Sequence, residues 1–374
     1  MTHGIAKYDA VDALRGIAVA GVVLVHTGRQ AMPPSDALRA AMNLGACGVQ
    51  LFFVVSALTL CLSRASRSRH ESRPLRNFLI RRVARVAPMF WIAIALYLAL
   101  HGLAPGYWAP NGIHAPAIAA TALFVHGLHP ETINAVVPGG WSVADEMGFY
   151  AILALCLPNL VTRRPALLFL AASLVLFALD GAVVPHLFSY PDQQHYLVRN
   201  FVRFNVFGQL PVFAAGVVAC VAFRAGVADR PLAAGATLCM LGAAFCWWRL
   251  PQPLCTPAIG VFFAAATLLL ARWPARLFVN RATIALGRRS FSVFLLHFAV
   301  LDAFSGSGAS AWFAGSDAGS VLQFLCVLGV AAALAWVAWR YVEQPGIACG
   351  RRLIDALEQA PAPRAAVPHG SPAD

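Results

Sequence analysis

The chain predicts an all-α, polytopic membrane protein with about ten transmembrane helices and one further re-entrant or interfacial segment. Three observations carry that reading. Of its 374 residues 59% are hydrophobic and only 12% charged, with a mean hydropathy of +0.68, against about 25% charged residues in a soluble domain. Apolar segments long enough to cross or nearly cross about 30 Å of hydrocarbon recur at 12–28, 44–62, 78–100, 142–160, 166–181, 206–223, 232–248, 254–271, 290–304 and 319–340. Finally, the formal charge of +12 is arginine charge, with Lys7 the sole lysine, and it sits between the apolar segments. That is the charge bias of membrane loops and implies no nucleic-acid partner.

The segment 116–128 is broken by His126 and bounded by Pro116 and Pro130. If it does not cross and the N-terminus is cytoplasmic, 23 of the 28 basic residues fall on the cytoplasmic side; if it does cross, the split is 13 against 15. The positive-inside rule therefore selects ten spans with both termini cytoplasmic, and makes 116–128 non-spanning backbone buried in protein or lining a cavity. Asp9 and Asp12 in place of a basic leader argue against a cleaved signal peptide. Most of the nine cysteines lie inside spans without a Cys-x-x-Cys pair, so neither disulfides nor a metal site is expected.

In the first span, Arg15 and His26 are eleven positions apart. At about 100° and 1.5 Å per residue they share one helix face, roughly 16 Å from each other. Ionisable groups in a bilayer are functional candidates by default; singly, Arg15 also reads as an anchor and His26 as a packing histidine. The second span opens with the run Gly48–Ser56 and ends in an arginine-rich loop, 64–76, which reads as a solvated face. Arg81, Arg82 and Arg85 begin the third span and share neighbouring helix positions, suited either to bidentate phosphate binding or to headgroup anchoring. Asp145 and Glu146 open the next and point about 100° apart; the ten-span topology puts Glu146 and His26 near one surface and Arg15, Arg81, Arg82 and Arg85 near the other.

Residues 182–205 form the longest outer loop, with His186, Tyr190, Asp192, His195, Arg199 and Arg203. It reads as a solvated loop, with an acceptor site as the alternative. His297 sits halfway along its span. A Pro/Ala-rich stretch, 359–374, is an expected disordered cytoplasmic tail after a single membrane domain, 1–358.

Taken in order, these pieces resemble the acyltransferase-3 family of integral-membrane proteins over nearly the whole chain. The resemblance rests on Asp12-x-x-Arg15-Gly16 with His26, the Gly48–Ser56 run, Arg81-Arg82-x-x-Arg85-x-x-Pro88, and Trp141-Ser142 with Glu146 and Phe149-Tyr150; Gly287 with Ser290 and His297, and Glu343-x-Pro345, complete it. Departures are Gln50 for a frequent aspartate, Ala57 for glycine, Phe90 for tyrosine and Met147 for a second glutamate. The resemblance implies a stand-alone O-acyltransferase of a bacterial inner membrane. It would take an acyl group, acetyl by expectation, from cytoplasmic acyl-CoA to a hydroxylated acceptor such as a carbohydrate. Arg15 with Arg81, Arg82 or Arg85 would hold the CoA phosphates. His26 would act as general base with Glu146 orienting it, and Trp141, Ser142, Tyr150 and His297 would shape the acceptor end. A proton-coupled transporter is the alternative from another class; carriers of that kind carry internal repeats, and none is visible here.

Overall fold

The computed structural model describes residues 2–67, 71–156, 160, 162–226 and 229–359, without the side chains of 2–8 and 64–67. Of the expected tail, 359–374, Gln359 is helical as the last residue of the helix Gln344–Gln359, and 360–374 lie outside the described residues. The described chain is all-helical: α1 (Thr2–Ala31), α2 (Asp36–Asn43), α3 (Gly48–Arg67), α4 (Pro74–His101), α5 (Ala115–Ala122), α6 (Gly140–Cys156), α7 (Arg163–Leu187), α8 (His195–Phe204), α9 (Val206–Arg224), α10 (Asp229–Arg249), α11 (Thr256–Arg272), α12 (Arg281–Arg288), α13 (Ser290–Gly306), α14 (Asp317–Ala338) and α15 (Gln344–Gln359). Seven helical stretches among the described residues are long and apolar enough to span a membrane, or eight with the bent pair α12 and α13 as one. The expected ten exceeds this; α6 and α11, 17 residues each, coincide with two of the other expected segments and are shorter than the rest.

Helix α1 is the axis of the bundle, packed chiefly against α12 and α3. Its contact with α12 is a close backbone approach: a Cβ on Gly16 would lie 2.1 Å from the Thr283 carbonyl oxygen, and one on Gly287 1.7 Å from that of Asp12. Only glycine fits either position, and the pair fixes where α12 ends. A bend of 81° follows, so that α13 begins at Ser290 alongside Arg15. Asp9 and Asp12 both pair with Arg288 across the same contact, at 3.4 and 3.2 Å.

The segment between α4 and α6 has no helix long enough to span among the described residues. Its one α-helix, α5, has eight residues, about 12 Å at 1.5 Å each, as the loop charges require. The following turn is fastened by His126, which is 1% exposed, stacks on Phe90 and donates from Nε2 to the Gly140 carbonyl at 3.0 Å. Burial holds the His126 pKa at about 4, so this imidazole stays neutral at physiological pH. At the far end of the chain a π-helical turn, Trp339–Glu343, joins α14 to α15 and turns Glu343 inward, where it accepts from Ser292 of α13.

Candidate active site

Two cavities flank the wall between α1, α3, α6 and α13. The first measures about 700 Å³ with its open mouth included and is lined by Arg15, Arg82, Arg85, Glu146, Tyr150 and Ser290, among others. Arg15 donates from Nη2 to Thr59 Oγ1 at 3.2 Å, which turns its guanidinium off α1 towards α3. Arg82 lies over the Tyr150 ring at 5.8 Å and the Phe78 ring at 5.7 Å, and its Nε has no hydrogen-bond partner. Glu146 Oε1 accepts from Ser56 Oγ at 2.6 Å and from the Tyr150 hydroxyl. Electrostatically, Arg15 is within reach of both Arg85 and Glu146. Three guanidiniums thus face one carboxylate among the lining residues, which leaves the cavity positive.

The second cavity is larger, about 1550 Å³ with its open mouth included, and holds His26, Arg29, Trp141 and Arg203. The His26 ring packs 4.4 Å from Phe298 and 5.4 Å from His297, centroid to centroid. His297 is fully buried; its Nδ1 donates to the Phe294 carbonyl at 2.6 Å, which leaves Nε2 as an acceptor without a partner. A single layer of side chains divides the cavities. Phe53 and Phe294 line the first, and Gly139, Trp141 and Phe298 the second; Phe53 meets Trp141 edge-on at 6.1 Å. Gly139 has φ +77°, and a Cβ there would sit 3.0 Å from Phe294 Cζ, so this position admits glycine on two grounds.

Several expectations need correction. Arg15 and His26 do not open onto one space; the wall lies between them, because Trp141 and Ser142 point to opposite sides. Glu146 does not orient His26. It belongs to the guanidinium cavity, since Ser56 and Tyr150 draw it towards α3. Arg81 is absent from that cavity, its guanidinium being held by both oxygens of Glu71 at 2.7 and 3.1 Å. Trp141 faces the second cavity while Ser142 and Tyr150 face the first, so the expected acceptor group is divided. His297 lines neither cavity and packs behind His26. Conversely, the 182–205 stretch is more than a solvated loop: Asn200, Arg203 and Phe204 of the amphipathic α8 line the second cavity.

Sequence reasoning did not single out Phe294, Phe298 or Arg29. The first two lie four residues apart on α13, an interval that places them on one face, but nothing in their apolar chemistry separates a partition from ordinary packing.

Comparison with known proteins gives a profile described as an acyltransferase domain, of the acyltransferase-3 family, over residues 8–340. The chain is similar to the exopolysaccharide production protein ExoZ of Rhizobium meliloti, 30% identical over 114 residues that cover 30% of this chain and 34% of that protein. It is similar to the putative membrane-bound transacylase BcsY of Komagataeibacter xylinus, 28% identical over 224 residues, 56% of this chain and 50% of that one. A third relative is the regulator of hypoxia-inducible factor 1 of Caenorhabditis elegans, 30% identical over 132 residues, 29% of this chain and 25% of that protein. The matches span between a quarter and a half of these relatives' lengths. No solved structure matches the chain significantly.

Proposed function

Because the chain belongs to the acyltransferase-3 family and is a membrane acyltransferase, we propose that it transfers an acyl group, acetyl by expectation, from acyl-CoA to a hydroxyl of a carbohydrate acceptor, with His26 as general base. The observation that carries this reading is the back-to-back pair of cavities along α1, one lined by guanidiniums and the other by an imidazole, with one layer of side chains between. The exopolysaccharide and transacylase names of two relatives support the acceptor class and the reaction. In this reading the guanidinium cavity opens to the cytoplasm of a bacterial inner membrane, in keeping with the loop-charge bias and cytoplasmic termini.

Arg15, Arg82 and Arg85 hold the CoA phosphates, since guanidiniums bind phosphate oxygens in pairs. Arg81 has no part in this. The thioester arm extends past Phe53 and Phe294, which move aside to admit it, and reaches His26 along the roughly 16 Å that eleven helical residues rise. The acceptor hydroxyl oxygen attacks the thioester carbonyl carbon as His26 takes its proton. The C–S bond breaks, and the proton passes to the departing thiolate, giving acyl ester and free CoA thiol. His297 is a positioning residue: its fixed ring supports that of His26.

The test uses the purified protein in proteoliposomes supplied with radiolabelled acetyl-CoA and an oligosaccharide acceptor. His26→Ala is expected to lower labelling of the acceptor by about 10²–10⁴-fold while thermal stabilisation by CoA persists. A wild-type rate in that variant overturns the general base. A wild-type protein that CoA does not stabilise overturns the donor.

A further inference from the structure

The acceptor's own charge can be read from the His26 cavity, and this rests on the acceptor reading given above. We propose that the acceptor is anionic: it carries a carboxylate or phosphate group that Arg29 and Arg203 bind while a neighbouring hydroxyl faces His26.

Both guanidiniums line the cavity beside His26, and no carboxylate does. Among the described residues neither guanidinium has an ion-pair or hydrogen-bond partner; Arg203 lies over the face of Phe204 at 5.1 Å and within electrostatic reach of Cys255 and Cys47, the latter sharing a smaller cavity with it. Some exposed arginines elsewhere do find carboxylates, as in Arg39 with Asp36, Arg272 with Asp229, and Arg288 with Asp9 and Asp12. Each of the two lies in the last turn of its helix, where the C-terminal dipole offsets part of a positive charge. That accounts for each cation alone. It does not account for two of them converging, with Arg29 electrostatically coupled to both Arg203 and His26, since like charges so placed repel.

An anion between them removes that repulsion and gains charge-assisted hydrogen bonds from two planar donors. The placement of Arg203 is fixed from behind, because its own carbonyl accepts from Gln209 Nε2 at 2.7 Å. Around the pair stand Trp108, Trp141 and Phe204, apolar faces suited to a sugar ring. Asn200 Nδ2 donates to the Tyr107 hydroxyl at 3.0 Å, which holds a polar edge in the same space. The cavity therefore offers an apolar platform, a cationic pair and a base, which together match a hydroxylated, negatively charged ligand such as a uronic-acid unit or a glycosyl phosphate.

Isothermal titration calorimetry on the full-length protein in nanodiscs of zwitterionic lipid tests the proposal with two matched pairs: tetraglucuronate against cellotetraose, and glucose 1-phosphate against glucose. At least one anionic member is expected to bind about tenfold or more tightly than its neutral counterpart, with the advantage shrinking as salt rises; which pair responds identifies carboxylate or phosphate as the source. Arg29→Gln and Arg203→Gln should each reduce that advantage, and the Lys variants should restore part of it. The wild-type comparison needs no variant to fold. Equal affinities within both pairs overturn the anionic acceptor and leave the acceptor site standing. Binding by none of the four sugars overturns the acceptor reading together with this one. Displacement of the anionic sugar by CoA in strict competition would assign the guanidiniums to the donor and so also overturns it.

Discussion

The guanidinium cavity and the His26 cavity lie on the same helix yet are built by different means. In the first, Arg15 is held by Thr59, Glu146 by Ser56 and Tyr150, and Arg82 lies on aromatic faces, with its Nε left without a partner. Every lining side chain named there comes from a helix of the bundle, α1, α3, α4, α6 or α13. In the second, the cationic groups stand unpaired, and much of the wall comes from the non-spanning segment after α4 and from α8. A site that must take a constant ligand, such as a cofactor's phosphates, gains from preorganised helical donors. One that must take a particular acceptor is assembled from segments that can vary without disturbing the bundle.

The largest expected effect separates the two regions by kinetics. Arg15→Gln should raise KM for acyl-CoA by about 10–100-fold, the scale of one lost charge-assisted contact, with a smaller change in kcat; Arg81→Gln, whose partner is Glu71, should leave KM within about twofold. Initial rates across acyl-CoA concentrations check both. Equal effects from the two variants would return Arg81 to the donor site and undo the distinction drawn from the Glu71 contact.

Glu146→Gln sharpens the same comparison. The amide keeps its shape and removes the single carboxylate among three guanidiniums, so CoA affinity should change several-fold while the pH profile of kcat stays where His26 sets it. A shift of that profile without a change in CoA affinity would place Glu146 electrostatically with His26 after all. A smaller change comes from the wall itself. Phe294→Leu shortens the partition with modest loss of packing, and should raise the rate with longer acyl-CoAs relative to acetyl-CoA by several-fold. An unchanged ratio would argue that the acyl chain takes another path.

Much of this was legible in the chain. Hydropathy and arginine placement predict a multi-pass helical protein, and the charge split that keeps 116–128 from spanning agrees with the short helix found there, because these features depend on local composition. Arg15, Arg82 and Arg85 come together as expected, since helix periodicity and a shared depth suffice. Glu146 with Tyr150 is an i,i+4 pair and could have been found from spacing; its assignment to His26 failed because depth along a span says nothing about which neighbouring helix it faces. That facing depends on Ser56 of α3. Arg29 and Arg203 were visible as two of five outer arginines. Their convergence was not, because 174 positions separate them in the sequence and only the packing of α8 against the bundle brings them together. The family match, and not the geometry, is what favours enzyme over carrier.

The smallest effect concerns what holds the second cavity's wall in register. His126 donates to the Gly140 carbonyl, one residue from both Gly139 and Trp141, and so ties the non-spanning segment to the start of α6. Its pKa is about 4 in the folded protein and near 6.5 in an unfolded chain. Above pH 6.5 neither state carries the proton, and the clasp contributes its full stabilisation. As pH falls from about 6.5 towards 4, the unfolded state takes up a proton that the native state refuses, and that stabilisation is lost. His126→Gln supplies a donor that does not titrate. Thermal unfolding of both proteins between pH 7.5 and pH 4.5 should therefore give a steeper acid loss for the wild type, by a few degrees, with the curves converging in slope above pH 6.5. Parallel curves throughout would mean that the imidazole is protonated in place without cost, and the clasp would then be only one contact among many along that wall.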